Sequence, residues 1–138
     1  MKMLWWLVPL ALVLGAVFVL GRWPMINDVL TGHTPEYPDI QPQHLRAEPG
    51  AVFEAALTVA RDAGWEIVET DAAKGRIEAV ATTRFLRFRD DVTILIEPAG
   101  QGGSRVDIRS RSRVGRSDLG ANARRIRSFQ EKLLKLQT

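Results

Sequence analysis

Residues 109–126 read RSRSRVGRSDLGANARRI, from Arg109 to Ile126, and this stretch decides the fold. It starts as a strand: Arg109, Arg111 and Arg113 alternate with Ser110 and Ser112, the two-residue period of a sheet with one wet face. Upstream the strand extends to Arg105, with Val106 and Ile108 facing inward, and this inward face fades to Ser110 and Ser112. Gly115, Ser117, Asp118 and Gly120 then mark a structural turn in which Ser117 or Asp118 caps the following helix. That helix runs from about Leu119 to Leu136, because Leu119, Ala123, Ile126, Phe129, Leu133 and Leu136 recur at spacings of three and four.

Working back from this unit, the same periodicities give the rest of the domain. Pro49 to Ala63 reads as a helix with proline in its first position and Gly64 just beyond its end. Trp65 to Thr70 and Arg76 to Thr83 form a hairpin around Asp71–Gly75, with Ile77, Ala79 and Ala81 inward. Asp91 to Glu97 adds Val92, Ile94 and Ile96 on one face, and Pro98–Gly103 turns the chain into the arginine-bearing strand. The expectation is an α+β domain: a four-stranded antiparallel meander with two helices on one face, in the order α-β-β-β-β-α.

Leu4 to Leu20 is an uncharged apolar run between Lys2 and Arg22, bracketed by Trp5, Trp6 and Trp23. It reads as an uncleaved transmembrane helix with its N-terminus inside; a signal peptide is the competing reading. Between it and the domain, prolines at 35, 38, 42 and 49 argue for an extended linker carrying both histidines, His33 and His44. The expected division is therefore an anchor over 1–23, a proline-containing linker over 24–48 and the α+β domain over 49–138.

Charge is unevenly spread. Residues 27–104 hold thirteen Asp/Glu against seven Lys/Arg, whereas residues 105–138 hold ten Lys/Arg against three Asp/Glu. Two pieces of opposite sign can pair within the fold, or the basic one can face an anionic lipid or a protein partner. Nucleic acid is not expected, since no aromatic residue interleaves the arginines. Absence of cysteine excludes disulfides, thiolate metal sites and a cysteine nucleophile.

No catalytic set, metal site or cofactor motif emerges. The serines lack a histidine placed to activate them, and adjacent Asp90 and Asp91 point to opposite faces of a strand. Asp118 would repel a phosphate at the helix start. The residues expected to form a recognition surface are Arg111, Arg113, Arg116 and Asn122. An enzyme would need Asp91, Arg113, Ser117 and Asn122 to converge; a lipid or small-molecule binder would need an apolar groove lined by Trp65, Phe85, Phe88 and Phe129.

The chain resembles the family called domain of unknown function 1499. The resemblance rests on YPDI at 37–40, GWEIV at 64–68, GRIEA at 75–79, Asp90-Asp91 before an apolar strand, and SRSRVGRSDLGANARRI at 110–126. It implies a small α+β domain of bacterial proteins, often membrane-associated, with no established activity and no catalytic residues to carry over. The combined expectation is a single-pass protein of the bacterial inner membrane whose periplasmic domain works by binding or scaffolding.

Overall fold

The computed structural model describes residues 4–137. Its elements are α1 (Leu7–Leu20), β1 (Asp28–Leu30), β2 (Gln43–Leu45), α2 (Pro49–Asp62), β3 (Glu66–Asp71), β4 (Arg76–Thr82), β5 (Arg89–Pro98), β6 (Ser104–Ser112) and α3 (Ala121–Leu136), with a short 3-10 turn, Gly100–Gly102, between β5 and β6. The meander is present as β3–β4–β5–β6, every pair antiparallel.

Two further strands complete a six-stranded sheet, and this corrects the four-stranded expectation. β1 pairs with one end of β6, Asp28 opposite Arg111 and Leu30 opposite Arg109, while β2 pairs with the other, Gln43 opposite Val106 and Leu45 opposite Ser104. Between them the backbone amide of Thr31 donates to the carbonyl of Ile108 at 3.1 Å. The proline-containing stretch leaves the sheet at Gly32 and returns to it, burying Tyr37, Ile40 and Leu45. It is extended, as its prolines require, but packed into the domain. Each of its strands is only three residues long, too short to show an alternation.

The core lies between the sheet and the two helices. Ile77, Ile94, Ile96, Val106 and Ile108 meet Val52, Phe53 and Ala56 of α2 and Ile126, Phe129 and Leu133 of α3. Gly64 ends α2 at φ +77°, and the Trp65 amide beyond it donates to the Ala60 carbonyl at 3.0 Å. Gly75 is required where two strands approach: a Cβ there would lie 1.9 Å from the Ile96 carbonyl oxygen.

α1 differs from the other helices. It has fourteen residues, all apolar or glycine except for Pro9, and buries none of them. Its rise is about 21 Å, short of the ~30 Å of a bilayer's hydrocarbon layer. Among the described residues no helix is long and apolar enough to cross a membrane, which corrects the expected spanning helix. The apolar run starts at Leu4, but Leu4–Trp6 do not join the helix.

Candidate ligand cleft

The inward face of β6 changes character along its length, and the site follows from that change. Val106 and Ile108 sit opposite Ile96 and Ile94, but Ser110 faces Val92 and Ser112 faces Asp90. Here the sheet presents polar groups to α3. Asp90 is 1% exposed and Asn122 is completely buried.

Asn122 ties this region together. Its Nδ2 donates to the Asn27 carbonyl at 3.1 Å, the Ser112 hydroxyl at 2.9 Å and Asp118 Oδ2 at 2.6 Å. Its Oδ1 accepts from the Ser110 hydroxyl at 2.6 Å and from Arg125 at 2.8 Å. Arg125 also places Nη2 2.8 Å from Asp90 Oδ2. That contact is an ion pair without an aligned hydrogen bond, since Asp90 Oδ2 is buried with no hydrogen-bond partner. Burial pushes the Asp90 carboxyl above the usual carboxylate range, outweighing the opposing charge of Arg125.

Two loops rise beside this floor. The β4–β5 connection is pinned at its base by the Thr83 amide donating to the Phe88 carbonyl and the Phe88 amide donating to Thr83 Oγ1, each at 2.8 Å. Its tip leaves Phe85 89% and Leu86 71% exposed. Opposite runs the β6–α3 connection. The N-cap of α3 is Gly120, at φ +78°, rather than the expected Ser117 or Asp118; from two residues upstream the Asp118 carboxylate accepts from the Gly120 amide at 2.8 Å and the Asn122 amide at 3.1 Å. Its carboxylate therefore serves the backbone, and the Ser117 hydroxyl donates to the Pro24 carbonyl at 3.3 Å. Leu119 holds φ +51° in this turn, a conformation that costs a branched residue about 1 kcal/mol.

Between the loops lies an open cleft of about 890 Å³. Phe85, Leu86, Phe88, Val114 and Leu119 give it apolar walls, and Asp90, Ser112 and Arg125 contribute at its base. This volume is in the range of small-molecule sites. Trp65 and Phe129 are elsewhere: their rings stack with centroids 5.8 Å apart beside a separate recess of about 90 Å³. The four aromatic residues expected to line one groove thus fall into two places.

The expected recognition residues also divide. Arg113 donates to Asp91 at 2.7 Å on the outer face of the sheet. Arg111 lies on that face between Asp28 of β1 and Asp91 of β5, directly cross-strand from both. Arg116 is exposed in the turn, and Asn122 is buried beneath it. Asp91 and Arg113 are together, as are Ser117 and Asn122 around Asp118, but the two pairs do not form one constellation. Asp90 was weighed with Asp91 and set aside as a site residue, and Arg125, Leu86, Val114 and Leu119 were not expected at one. The available signal was the inward parity of Asp90 with Val92, Ile94 and Ile96, set against the fading inward face of β6.

Fold and cleft together define a small α+β domain in which an antiparallel sheet carries two helices and leaves an open apolar cleft beside the start of the second. The chain belongs to the DUF1499 family of proteins of unknown function, whose profile matches residues 23–133. This match agrees with the motifs quoted above and takes in the proline-containing stretch as part of the domain. Among solved structures the chain is similar to the crystal structure of Ara h 8.0201, at 12% identity and a TM-score of 0.49, over 78% of this chain and 97% of that one. No curated protein matches.

Proposed function

We propose that this chain is a membrane-tethered binding module whose cleft receives the apolar part of a lipid or other amphipathic small molecule. The observation that carries this reading is the cleft itself: about 890 Å³ of open space walled by large apolar side chains that the fold leaves exposed to water. A contiguous exposed apolar patch beside a concavity is what a ligand site presents. The tether is α1, apolar around its whole circumference and burying none of its residues in the domain; burial in lipid would remove that surface from water. A pure scaffold, the reading under which the arginines pair internally as Arg109 and Arg113 do with Asp28 and Asp91, is less well supported because it leaves the open apolar cleft without a role.

The test uses the full chain held in an amphipathic polymer, so that no detergent competes, and a fatty acid bearing a diazirine. Cross-links mapped by peptide mass spectrometry are expected in residues 82–88 and 112–121 and are expected to disappear in the double variant Phe88→Arg/Leu119→Arg. Labelling confined to residues 4–23, unchanged by that variant, would show that the cleft binds no acyl chain.

A further inference from the structure

We infer that the β4–β5 loop is a second membrane contact, which lays the cleft mouth on an anionic bilayer surface; this goes beyond ligand binding and rests on the tether reading for its orientation. The loop reads Arg84-Phe85-Leu86-Arg87-Phe88, two guanidinium groups among large apolar side chains with no acid; Arg89, which begins β5, is paired with Glu66 instead. Phe85 and Leu86 project into water at its tip. Aromatic and aliphatic groups flanked by arginines suit the headgroup boundary of a bilayer, where the rings enter the acyl region and the guanidinium groups meet lipid phosphates.

The path of the chain places this loop on the same side as the tether. Immediately after α1, Trp23 packs on Gly120 so closely that a Cβ there would lie 2.5 Å from its ring. Arg124 stacks over Trp23 with its guanidinium carbon 5.2 Å from the ring centroid. The Asp118 amide donates to the Ile26 carbonyl at 3.1 Å. Residues 23–26 are thus fastened to the wall of the cleft that faces the β4–β5 loop, and Leu119 and Arg124 belong to that wall. A helix buried in lipid just before Trp23 therefore holds the cleft rim, with its exposed apolar loop, close to the bilayer.

Because the chain has no cysteine, single-cysteine variants of the full protein report position directly. Phe85→Cys and Glu69→Cys, the second on exposed β3, are labelled with an environment-sensitive fluorophore and reconstituted on vesicles of phosphatidylcholine containing a minority of phosphatidylglycerol. The expected result is a blue shift and loss of aqueous iodide quenching at position 85 but not at position 69. Adding Arg84→Glu and Arg87→Glu should abolish the shift while the chain stays on the vesicles. A vesicle-bound chain whose label at 85 is as open to iodide as that at 69 overturns the loop contact and leaves the tether standing. Absence from the vesicle fraction overturns both. Protection of position 85 without lipid, rising with protein concentration, would instead assign the loop to an interface between copies.

Discussion

The two halves of the helix-facing side of β5 and β6 use the same backbone pairing for opposite ends. In one half, Ile94, Ile96, Val106 and Ile108 pack against α2 and α3 as a closed core. In the other, Asp90, Ser110 and Ser112 sit under Asn122 and Arg125, and above them the molecule is open. The contrast shows how a small domain keeps a cleft without collapsing it: apolar side chains fill whatever space they border, whereas a buried polar network has directional bonds that hold its partners at fixed distances.

The apolar half should carry the larger share of stability, and Phe129→Ala tests this most severely. Removing a fully buried ring between sheet and helices is expected to cost about 4 kcal/mol, measured as a lowered urea midpoint with little change in slope. A loss below about 1 kcal/mol, the range of surface substitutions and small repackings, would mean that this half is no tighter than the cleft and would remove the contrast.

The polar half should respond through its pairing. Asp90→Ala leaves the largely shielded Arg125 beside a missing carboxylate, with an expected cost of about 3 kcal/mol. Replacing both partners by leucine should recover most of that loss, since a buried pair often contributes little net stability over apolar groups of similar volume. If the double variant is as unstable as Asp90→Ala, the network matters as a whole and the pair cannot be treated separately. Cross-linking in the cleft distinguishes a second role: a double variant that is stable but takes up no diazirine lipid would show that the charges shape or receive the ligand.

The sequence made one half of this contrast far easier to see than the other. Alternation in Arg76–Thr83 and Arg105–Arg113, and the three-four spacing from Ala123 to Leu133, are local patterns repeated enough times to be recognised. So was the opposite facing of Asp90 and Asp91, whereas the helix cap fell on Gly120, two residues beyond Asp118. Met25 to Gly32 could be read as a short strand or an amphipathic lead-in, and β1 lies within it. Its place in the sheet was hidden, as β2 was altogether, because three residues between prolines and glycine carry no period and their stability comes from pairing with β6. The cleft was hidden because its walls, residues 82–88 and 112–121, meet only through the β5–β6 register. Asp90 and Arg125 belong to different elements, and nothing local announces that they touch. Asn122, expected at a recognition surface, lies beneath the turn as its internal clamp.

The outer face of β6 offers the mildest test, because its charges are only partly buried. Asp28 accepts from Arg109 Nε at 2.9 Å, yet the side chain of Asp28 is 35% exposed. The hydrogen bonds from Arg109 hold its carboxyl below the usual range, reinforced by the charges of Arg109 and Arg111 and opposed by burial. A carboxylate whose pKa is lower when folded contributes stability above its unfolded value; that contribution is lost as pH falls through the folded value. Asp28→Asn should therefore cost about 0.5 kcal/mol at neutral pH, a figure already reduced for solvent screening. The difference from the parent chain should shrink as pH drops below the ordinary aspartate range near 3.8 and should also shrink in high salt. Urea midpoints of both chains across that acidic range decide the matter. A gap that persists at low pH would mean that Asp28 acts through shape at the β1 edge, and the arginine row would then be balanced chiefly by Asp91.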